Sequence, residues 1–502
     1  MTETLDVLAR EIDIACDLND AVALEISLDI INNFDRNSLQ LKDEAALDLY
    51  AANIFANLHR IRGGVKDFAW SQPLLEKEIY HLRLALNKLG CLATKDLKTD
   101  LKLRIYTNLA NTLNHVGRFV EAIELWDEAI AEHSNFGMAI GNRAQALFWY
   151  ARFLDDPDEQ TIFLKQSYVG FRFATATGVE EHAHEDMCNW VTHLESIGDW
   201  ESMPPETPQI FKSTSREEQK YRIWCVNNRL VLNPINDLMQ NLDGLQDTLT
   251  LPPITLSIKN GSSELPRPYA IFNQLKQEYA SARYLIFVAI QEKDEPLHFA
   301  DKGIVLYDTL DYRFYRLWVE KIKMAFLAAH AIFDKIAYLV NDYWGLRLNV
   351  KSINFNSIWY EGGRQDRGLA SSFKSSQNWP LRGLYWLGKD FYNKSSHAPL
   401  VEPDAKIIHE IRNHIAHKYL RVHDHTFYGA AEERERLGHE ISYPVSDKEL
   451  FNHSIKLLKL ARSALIYLSA AISHEEAIKC ENSKSELIAT MPITIVSDDY
   501  RL

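Results

Sequence analysis

The first half of the chain repeats a short helical pattern, and this repeat constrains the fold more than any other feature of the sequence. The clearest unit occupies residues 106–129 and turns at Gly117 between two stretches of helical periodicity. A shift of 34 residues places Ala144 and Leu147 at the corresponding positions of a further helix. A pair of short helices cannot bury its apolar face alone, so neighbouring pairs must stack. The sequence therefore predicts an all-α chain that begins with stacked helical hairpins.

This unit resembles the tetratricopeptide repeat (TPR). The resemblance is carried by small and aromatic residues at Leu109, Ala110, Gly117, Ala122, Trp126 and Ala129. Ser134 stands where such repeats usually close with proline. Residues 3–34 and 42–90 also have the periodicity of helix pairs, so we expect a TPR-like domain over residues 1–200, with a generic helical bundle as the alternative. The resemblance implies a groove that binds a protein or peptide partner.

Proline-rich and glycine-rich stretches divide the rest of the chain. A chain of 502 residues is too long for one ordinary core. The breaks predict a linker with a short helical segment over residues 201–265, a second helical domain over 266–478 and a tail over 479–502. Within the second domain, residues 351–380 have little regular pattern and are expected to form a loop-rich insertion. The domain itself is expected to contain four or five helices.

Cysteines and charge restrict the compartment and the partners. Five widely separated cysteines and an acidic N-terminus without an apolar leader favour a reducing, cytoplasmic location. The long apolar helix near residues 312–344 contains several charged residues, which argues against a membrane span. The net charge of −14 lies entirely in residues 1–200, and residues 201–502 are neutral overall. The acidic half suits protein partners, while the neutral half can still contain a local basic patch.

A late helix brings together three residues with chemical potential: Arg412, Asn413 and His417. On an ideal wheel, Arg412 lies beside an apolar stripe made by Ile408, Ile411, Ile415 and Tyr419. A buried cation is costly, so Arg412 must find an anion, reach a cleft or extend to solvent. Arg412 and His417 are about 140° apart on the helix, so one helix presents them poorly to one phosphate. Two copies packed about a two-fold axis could build a joint cleft.

The pattern Arg412-Asn413-x-x-x-His417 resembles the R-x(4–6)-H signature of HEPN domains. The resemblance covers roughly residues 265–476 and implies a helical bundle with an inserted loop, working as a homodimer. It also implies a metal-independent endoribonuclease without a cofactor, whose RNA product is a 2′,3′-cyclic phosphate. His417 would be the general acid or base, Arg412 would stabilise charge on the phosphorane, and Asn413 would orient the His417 ring or the phosphate. Such proteins act as regulated toxins, some of them in phage defence, and the TPR-like half would then be the sensor or regulator.

Two groups of residues are candidates for RNA contact. Lys418, Arg421 and His414 lie beside the motif. Basic residues also alternate with aromatic ones in the insertion, as single-stranded RNA binding requires, at Lys351, Trp359, Tyr360, Arg364, Arg367, Phe373, Lys374, Trp379 and Arg382. An ordinary surface loop anchored by aromatics is the alternative. Tyr419 extends the signature to R-x(4)-H-x-Y, which resembles HEPN toxins that are adenylylated on this tyrosine, although its place on the apolar stripe favours a core role.

Two other functions remain open from the sequence. One is a non-catalytic scaffold, in which the repeats bind a protein and the HEPN-like domain dimerises or binds nucleotide. The other is a metal-dependent hydrolase built on residues 182–188 or on His423 and His425, although the spacing of these residues is a weak metal signal. Neither a phosphate-binding loop nor a dinucleotide fingerprint is present.

Overall fold

The computed structural model describes most of the chain as helix. It covers residues 2–64, 68–91, 99–203, 210–238, 244–255, 267–308, 313–391, 401–425, 441–482, 495, 496, 498 and 501. This part contains sixteen α-helices and one pair of short strands. The prediction of an all-α chain is therefore confirmed.

The N-terminal half is a succession of helices in which each packs on the next. Their bounds are α1 Thr2–Asp17, α2 Ala21–Asn32, α3 Leu41–Ile61, α4 Pro73–Gly90, α5 Thr99–His115, α6 Phe119–Glu132, α7 Gly137–Ala151, α8 Pro157–Ala176 and α9 Glu181–Ile197. Asp20 and Asp156 cap α2 and α8, since each carboxylate accepts backbone N–H bonds of the first turn. Consecutive contacts between neighbours are the arrangement expected for stacked helical hairpins.

The clearest repeat unit forms the pair α5 and α6. Leu109, Ala110 and Trp126 are at most 2% exposed, as their positions in the repeat predict. Gly117 turns the chain between the two helices with φ +95°, a conformation that glycine adopts without strain. A Cβ at this position would also lie 2.3 Å from the carbonyl oxygen of Trp379. This turn is therefore a point of close contact between the two halves of the chain.

The prediction that residues 201–265 form a linker is wrong for much of that segment. It contains α10, Arg216–Asn227, and continues into a stretch that enters the main core, where Leu230, Leu232 and Ile235 are at most 1% exposed. Arg462 anchors this stretch through an ion pair of 2.6 Å with the buried Asp237. Proline and glycine mark where a chain turns, but they do not show whether the turning segment is exposed.

The C-terminal part adds six helices and two strands. They are α11 Arg267–Glu292, α12 Leu317–Tyr343, α13 Ser371–Lys374, α14 Trp379–Gly388, α15 Ala405–His417, β1 Tyr419–His423, β2 Ser442–Ser446 and α16 Asp447–Asn482. α12 packs against α11, α15 and α16, and the two strands pair in parallel. Ser446 and Glu449 form a capping box, in which the side chain of each residue accepts a hydrogen bond from the backbone N–H of the other. Of the helices described, α12 alone has the length and mean hydropathy to span a membrane, but a row of its side chains is buried in the core.

Two predicted boundaries are corrected. The apolar stripe assumed that the helix of the motif extends through Tyr419, but this helix ends at His417 and the chain turns into β1. The expected tail starts later than residue 479, because α16 continues to Asn482, and most residues beyond Asn482 lie outside the described part of the chain.

The two halves share one continuous core. Asp390, which comes just after α14, forms ion pairs with Arg83 of α4 and with Arg118 beside α6, at 2.6 and 2.7 Å. Tyr467 of α16 donates a hydrogen bond to Glu121 of α6. The faces of α4 to α6 that make these contacts are covered by the chain itself. A protein or peptide partner for the N-terminal helices stays a prediction, and it would have to use another face.

Candidate functional site

Helix α15 presents the motif on a short element beside α12. Ile408 and Ile411 are at most 3% exposed and fix α15 against the core, as the apolar stripe predicts. Ile415 is partly buried against the same core. Because the buried row determines the rotation of the helix, the side chains next to it must lie along the groove between α15 and its neighbours.

Arg412 lines a cavity of about 200 Å³ between α12 and α15. His409, Ile408 and Ala405 of α15 line it with Arg412, and the other walls come from His330, Phe333, Asp334, Asn354, Phe355, Asn356 and Phe391. The sequence left three ways for Arg412 to avoid an unpaired burial. These were pairing with an anion, reaching a cleft and extending to solvent. In the structure, Arg412 reaches a cleft.

Asn413 joins Arg412 to a histidine that the sequence analysis did not single out. The Arg412 Nη1 donates to Asn413 Oδ1 at 3.1 Å, and Asn413 Nδ2 lies 2.7 Å from His409 Nε2. Since the amide nitrogen can only donate, His409 Nε2 is the acceptor of this hydrogen bond. Asn413 thus contacts both the guanidinium and the His409 ring, and its role toward the His417 ring or the phosphate stays a prediction.

His330 supplies a second histidine on the opposite wall. The pKa of His330 is lowered to about 4, mainly by burial; Asp334 opposes this shift, whereas Arg412 and His409 add to it. The ring is therefore neutral at pH 7 and can accept or donate a hydrogen bond in the cavity. Asp334 is held in place because its Oδ1 accepts from the Phe355 amide at 3.1 Å. His330 and Asp334, which are four residues apart on α12, were the signal that could have identified this wall from sequence.

His417 does not line this cavity. It is the last residue of α15, and its exposed side chain makes no hydrogen bond within the described part of the chain. Five residues of helix separate its Cα from that of Arg412 by about 7.5 Å along the axis, with a rotation of about 140°. One copy of the chain thus brings Arg412, Asn413, His409 and His330 together and leaves His417 on the surface beyond them.

The residues expected to contact RNA beside the motif differ in their exposure. His414 is 4% exposed; its Nδ1 donates to the Glu410 carbonyl at 2.8 Å, and its ring packs on Tyr443. The expectation that His414 contacts RNA does not fit this burial. Lys418 is exposed just after the helix, and Arg421 is partly buried in β1.

Tyr419 is not a core residue, so that expectation is wrong. It is 40% exposed, and the Arg313 guanidinium lies 5.0 Å from its ring centroid. The apolar stripe placed Tyr419 in the core because it assumed that the helix of the motif extends through this residue. Once the helix ends at His417, the alternation of the strand turns this side chain outward.

The aromatic residues of the insertion are mostly core residues rather than a stacking surface. Trp359 and Phe373 are at most 1% exposed, and Trp379 stacks on Phe119 of α6. Most of the cations remain at the surface, where Arg364 pairs with Asp366 at 2.9 Å, and Arg367 and Lys374 are exposed. Arg382 is the exception, since it is 1% exposed and donates to the His115 carbonyl at 2.7 Å. Tyr360 lines a larger cleft together with the exposed Lys374 and so keeps the expected combination of an aromatic ring and a cation.

The two candidate metal clusters do not assemble. Among the residues described, no three histidine, cysteine or acidic side chains converge as metal ligands. His182 is 77% exposed and lies 3.7 Å from Glu180, while His425 pairs with Asp447 at 3.1 Å. These contacts are ordinary surface and capping interactions.

Comparison with known proteins identifies the C-terminal part. Residues 259–475 match the family model described as LA2681-like HEPN. Neither the curated proteins nor the solved structures contain a match to the chain. The matched range begins before α11 and contains α15 and nearly all of α16, so it includes the motif and its cavity. HEPN domains are often ribonucleases, which makes RNA cleavage the coarse functional expectation for this one. Residues 259–475 therefore form a HEPN domain that is similar to the LA2681-like family.

Proposed function

We propose that this chain is a metal-independent endoribonuclease of the cytoplasm that acts as a regulated toxin, with phage defence as its setting. The proposal is carried by the Arg412 guanidinium, which lines a cavity in a HEPN domain and is oriented by Asn413. Among the described residues Arg412 donates one hydrogen bond, to Asn413, so most of its five N–H donors remain for an incoming phosphate. A guanidinium with this many donors suits a phosphorane, whose equatorial oxygens gain charge in the transition state.

The reaction needs two proton transfers. The RNA 2′-oxygen attacks the adjacent phosphorus and loses its proton, while the bond to the leaving 5′-oxygen breaks and that oxygen gains a proton. An imidazole can accept or donate a proton and can serve in either transfer, which is the role proposed for His417. The products are a 2′,3′-cyclic phosphate and a 5′-hydroxyl. DNA lacks the nucleophile and does not react.

A second copy of the chain is proposed to complete the site, because Arg412 and His417 do not share a cavity within one copy. The surface next to His417 has the exposed aromatic character that a self-interface requires. Tyr419 and Tyr315 both contact Arg313 and are at least 40% exposed. The segment leading to them exposes Val305 and Tyr307 almost completely. The exposure of Tyr419 also leaves it accessible to the adenylylation that the sequence signature implies.

The direct test compares RNA cleavage by wild type, Arg412→Ala and His417→Ala in EDTA, with detection of cyclic phosphate ends. We expect each variant to lose about 10²–10³-fold in rate, the usual cost of removing a charge-stabilising or proton-transferring group. Arg172→Ala and His182→Ala are matched controls, since both side chains are exposed on N-terminal helices. Unchanged cleavage by both motif variants would contradict the assignment.

Mixing the two inactive variants tests the shared site. If Arg412 of one copy works with His417 of the other, a mixed dimer keeps one intact pair and regains part of the activity. If both residues act within one copy, mixing restores nothing. Stable complexes without cleavage of any RNA by wild type would instead support the non-catalytic scaffold.

A further inference from the structure

A second cleft lies where the N-terminal helices meet the insertion of the HEPN domain. Its volume is about 920 Å³, and its wall includes Trp70, Glu76, Tyr360, Lys374, Tyr385 and Lys389. Trp70 precedes α4 and Glu76 lies within it, whereas the insertion contributes Tyr360 and Lys374. Tyr385 belongs to α14, and Lys389 directly follows that helix. This cleft is separate from the Arg412 cavity, with which it shares no lining residue.

One wall of the cleft is aromatic and already ordered. The ring centroids of Tyr385 lie 5.4 Å from Trp70 and 6.4 Å from Tyr360. Trp70 is held from behind by Phe373, on which it stacks at 5.6 Å. Rings that are fixed before binding lose little conformational freedom when a planar ligand packs against them. The wall therefore favours a flat aromatic ligand.

The surroundings of the cleft are basic although the chain as a whole is acidic. Residues 347–391 contain seven lysine or arginine residues and three acidic ones, in a chain with a net charge of −14. Lys389 is neutralised by the buried Glu76 at 2.7 Å and lies 4.9 Å from the Tyr385 ring centroid. Lys374 is exposed at the rim and has no ion pair within the described structure. The rim thus offers a cation to an anionic group in the cleft that the aromatic wall lines.

We propose that this cleft binds a nucleotide, with the base against the wall of Trp70, Tyr360 and Tyr385 and the phosphate at Lys374. Stacking on ordered rings combined with a nearby lysine is the chemistry that recognises a base joined to a phosphate. The nucleotide is either free or an unpaired residue of single-stranded RNA, and in the second case the inference rests on the proposed ribonuclease function. Residues 68–76 lie outside the matched HEPN range, so the site exists only when both halves are assembled.

A chain of rings connects this cleft to the candidate active site. Tyr385 contacts Trp359 at 5.8 Å, Trp359 contacts Phe355 at 6.0 Å, and Phe355 contacts Phe391 at 6.2 Å between ring centroids. Phe355 and Phe391 line the Arg412 cavity. A ligand that presses on Tyr385 thus contacts the same packed aromatic layer that forms a wall of that cavity.

The test is equilibrium binding of a fluorescein-labelled 2′-O-methyl oligoadenylate, followed by anisotropy, with unlabelled AMP as competitor. The methyl group blocks the 2′-oxygen, so binding is measured without cleavage. We expect Lys374→Ala to weaken binding about tenfold, the effect of one lost hydrogen bond to a charged group. Tyr360→Leu should weaken it by at least about fivefold through lost stacking. Lys302→Ala is the control, since Lys302 is an exposed lysine of the same domain outside the cleft.

The outcomes separate this inference from the proposed function. Weaker oligoadenylate binding in both cleft variants supports the site, and displacement by AMP at a comparable concentration assigns it to free nucleotide rather than RNA. Equal affinities in wild type, Lys374→Ala and Tyr360→Leu, or no binding of either probe to wild type, overturn it. Arg412→Ala should lose cleavage yet keep cleft binding, so failure of the ribonuclease proposal leaves a distinct result.

Discussion

Replacement of Gly383 by alanine should force the two halves of the protein apart. A Cβ at Gly383 would lie 2.1 Å from the Gly117 carbonyl oxygen and 2.6 Å from its carbon. Ordinary contact begins near 3.4 Å, so the first separation falls short by about 1.3 Å. Both obstructing atoms are backbone and cannot rotate away. Either α14 or the turn between α5 and α6 must therefore move.

The energetic cost depends on the interactions beside this contact. Overpacking a core usually costs about 1–3 kcal/mol. Trp379 and Arg382 also donate hydrogen bonds to the Asn114 and His115 carbonyls, at 3.0 and 2.7 Å. Each bond contributes about 1 kcal/mol if it is lost. We expect Gly383→Ala to lower the free energy of unfolding by about 3 kcal/mol.

Gly388→Ala is the matched control for this prediction. It lies on the same helix, but its added Cβ would meet its nearest neighbour, Phe355, at 3.5 Å. The expected change is within about 0.5 kcal/mol. Urea unfolding, followed by tryptophan fluorescence and circular dichroism, measures both variants. Equal unfolding midpoints for Gly383→Ala and wild type would show that the contact between Gly383 and Gly117 tolerates the added methyl group, which would refute this reasoning.

Two further predictions concern buried carboxyl groups. Burial works to raise the pKa of Asp390, but Arg118 and Arg83 more than offset it and hold the pKa well below its usual range. Asp390→Asn should therefore lower the free energy of unfolding, measured in urea, by about 3–5 kcal/mol. Asp366→Asn removes a carboxylate from an exposed ion pair and should change this free energy little; equal effects of the two substitutions would refute the argument. Burial raises the pKa of Glu78 to about 8, against the hydrogen bond from Thr112. In the unfolded chain the group ionises near 4.5, so the folded state binds the extra proton and its stability falls as pH rises from about 4.5 to 8. Glu78→Gln mimics the protonated form, and its unfolding midpoint should exceed that of wild type by an amount that grows with pH across this window; a difference independent of pH would contradict the assignment.

Local pattern was sufficient to predict much of the site. The apolar row of Ile408 and Ile411 determined which face of α15 is buried, and the position of Arg412 beside it implied that its charge must be accommodated in a specific way. The meeting of His409 and His330 with Arg412 could not be foreseen, because it depends on how α12 packs against α15. That packing joins residues far apart in the chain, and no periodicity within one helix encodes it.

By itself, the sequence determined the class of the fold, the repeat of α5 and α6 and the signature of the C-terminal domain, since each depends on residues within a few turns of one another. Tertiary structure alone decided that residues 225–235 and 245–251 contribute to the core and that most aromatic rings of the insertion face inward. It also decided that the chain leaves the helix at His417. Burial is a property of what covers a segment, and the covering surfaces here come from distant parts of the chain.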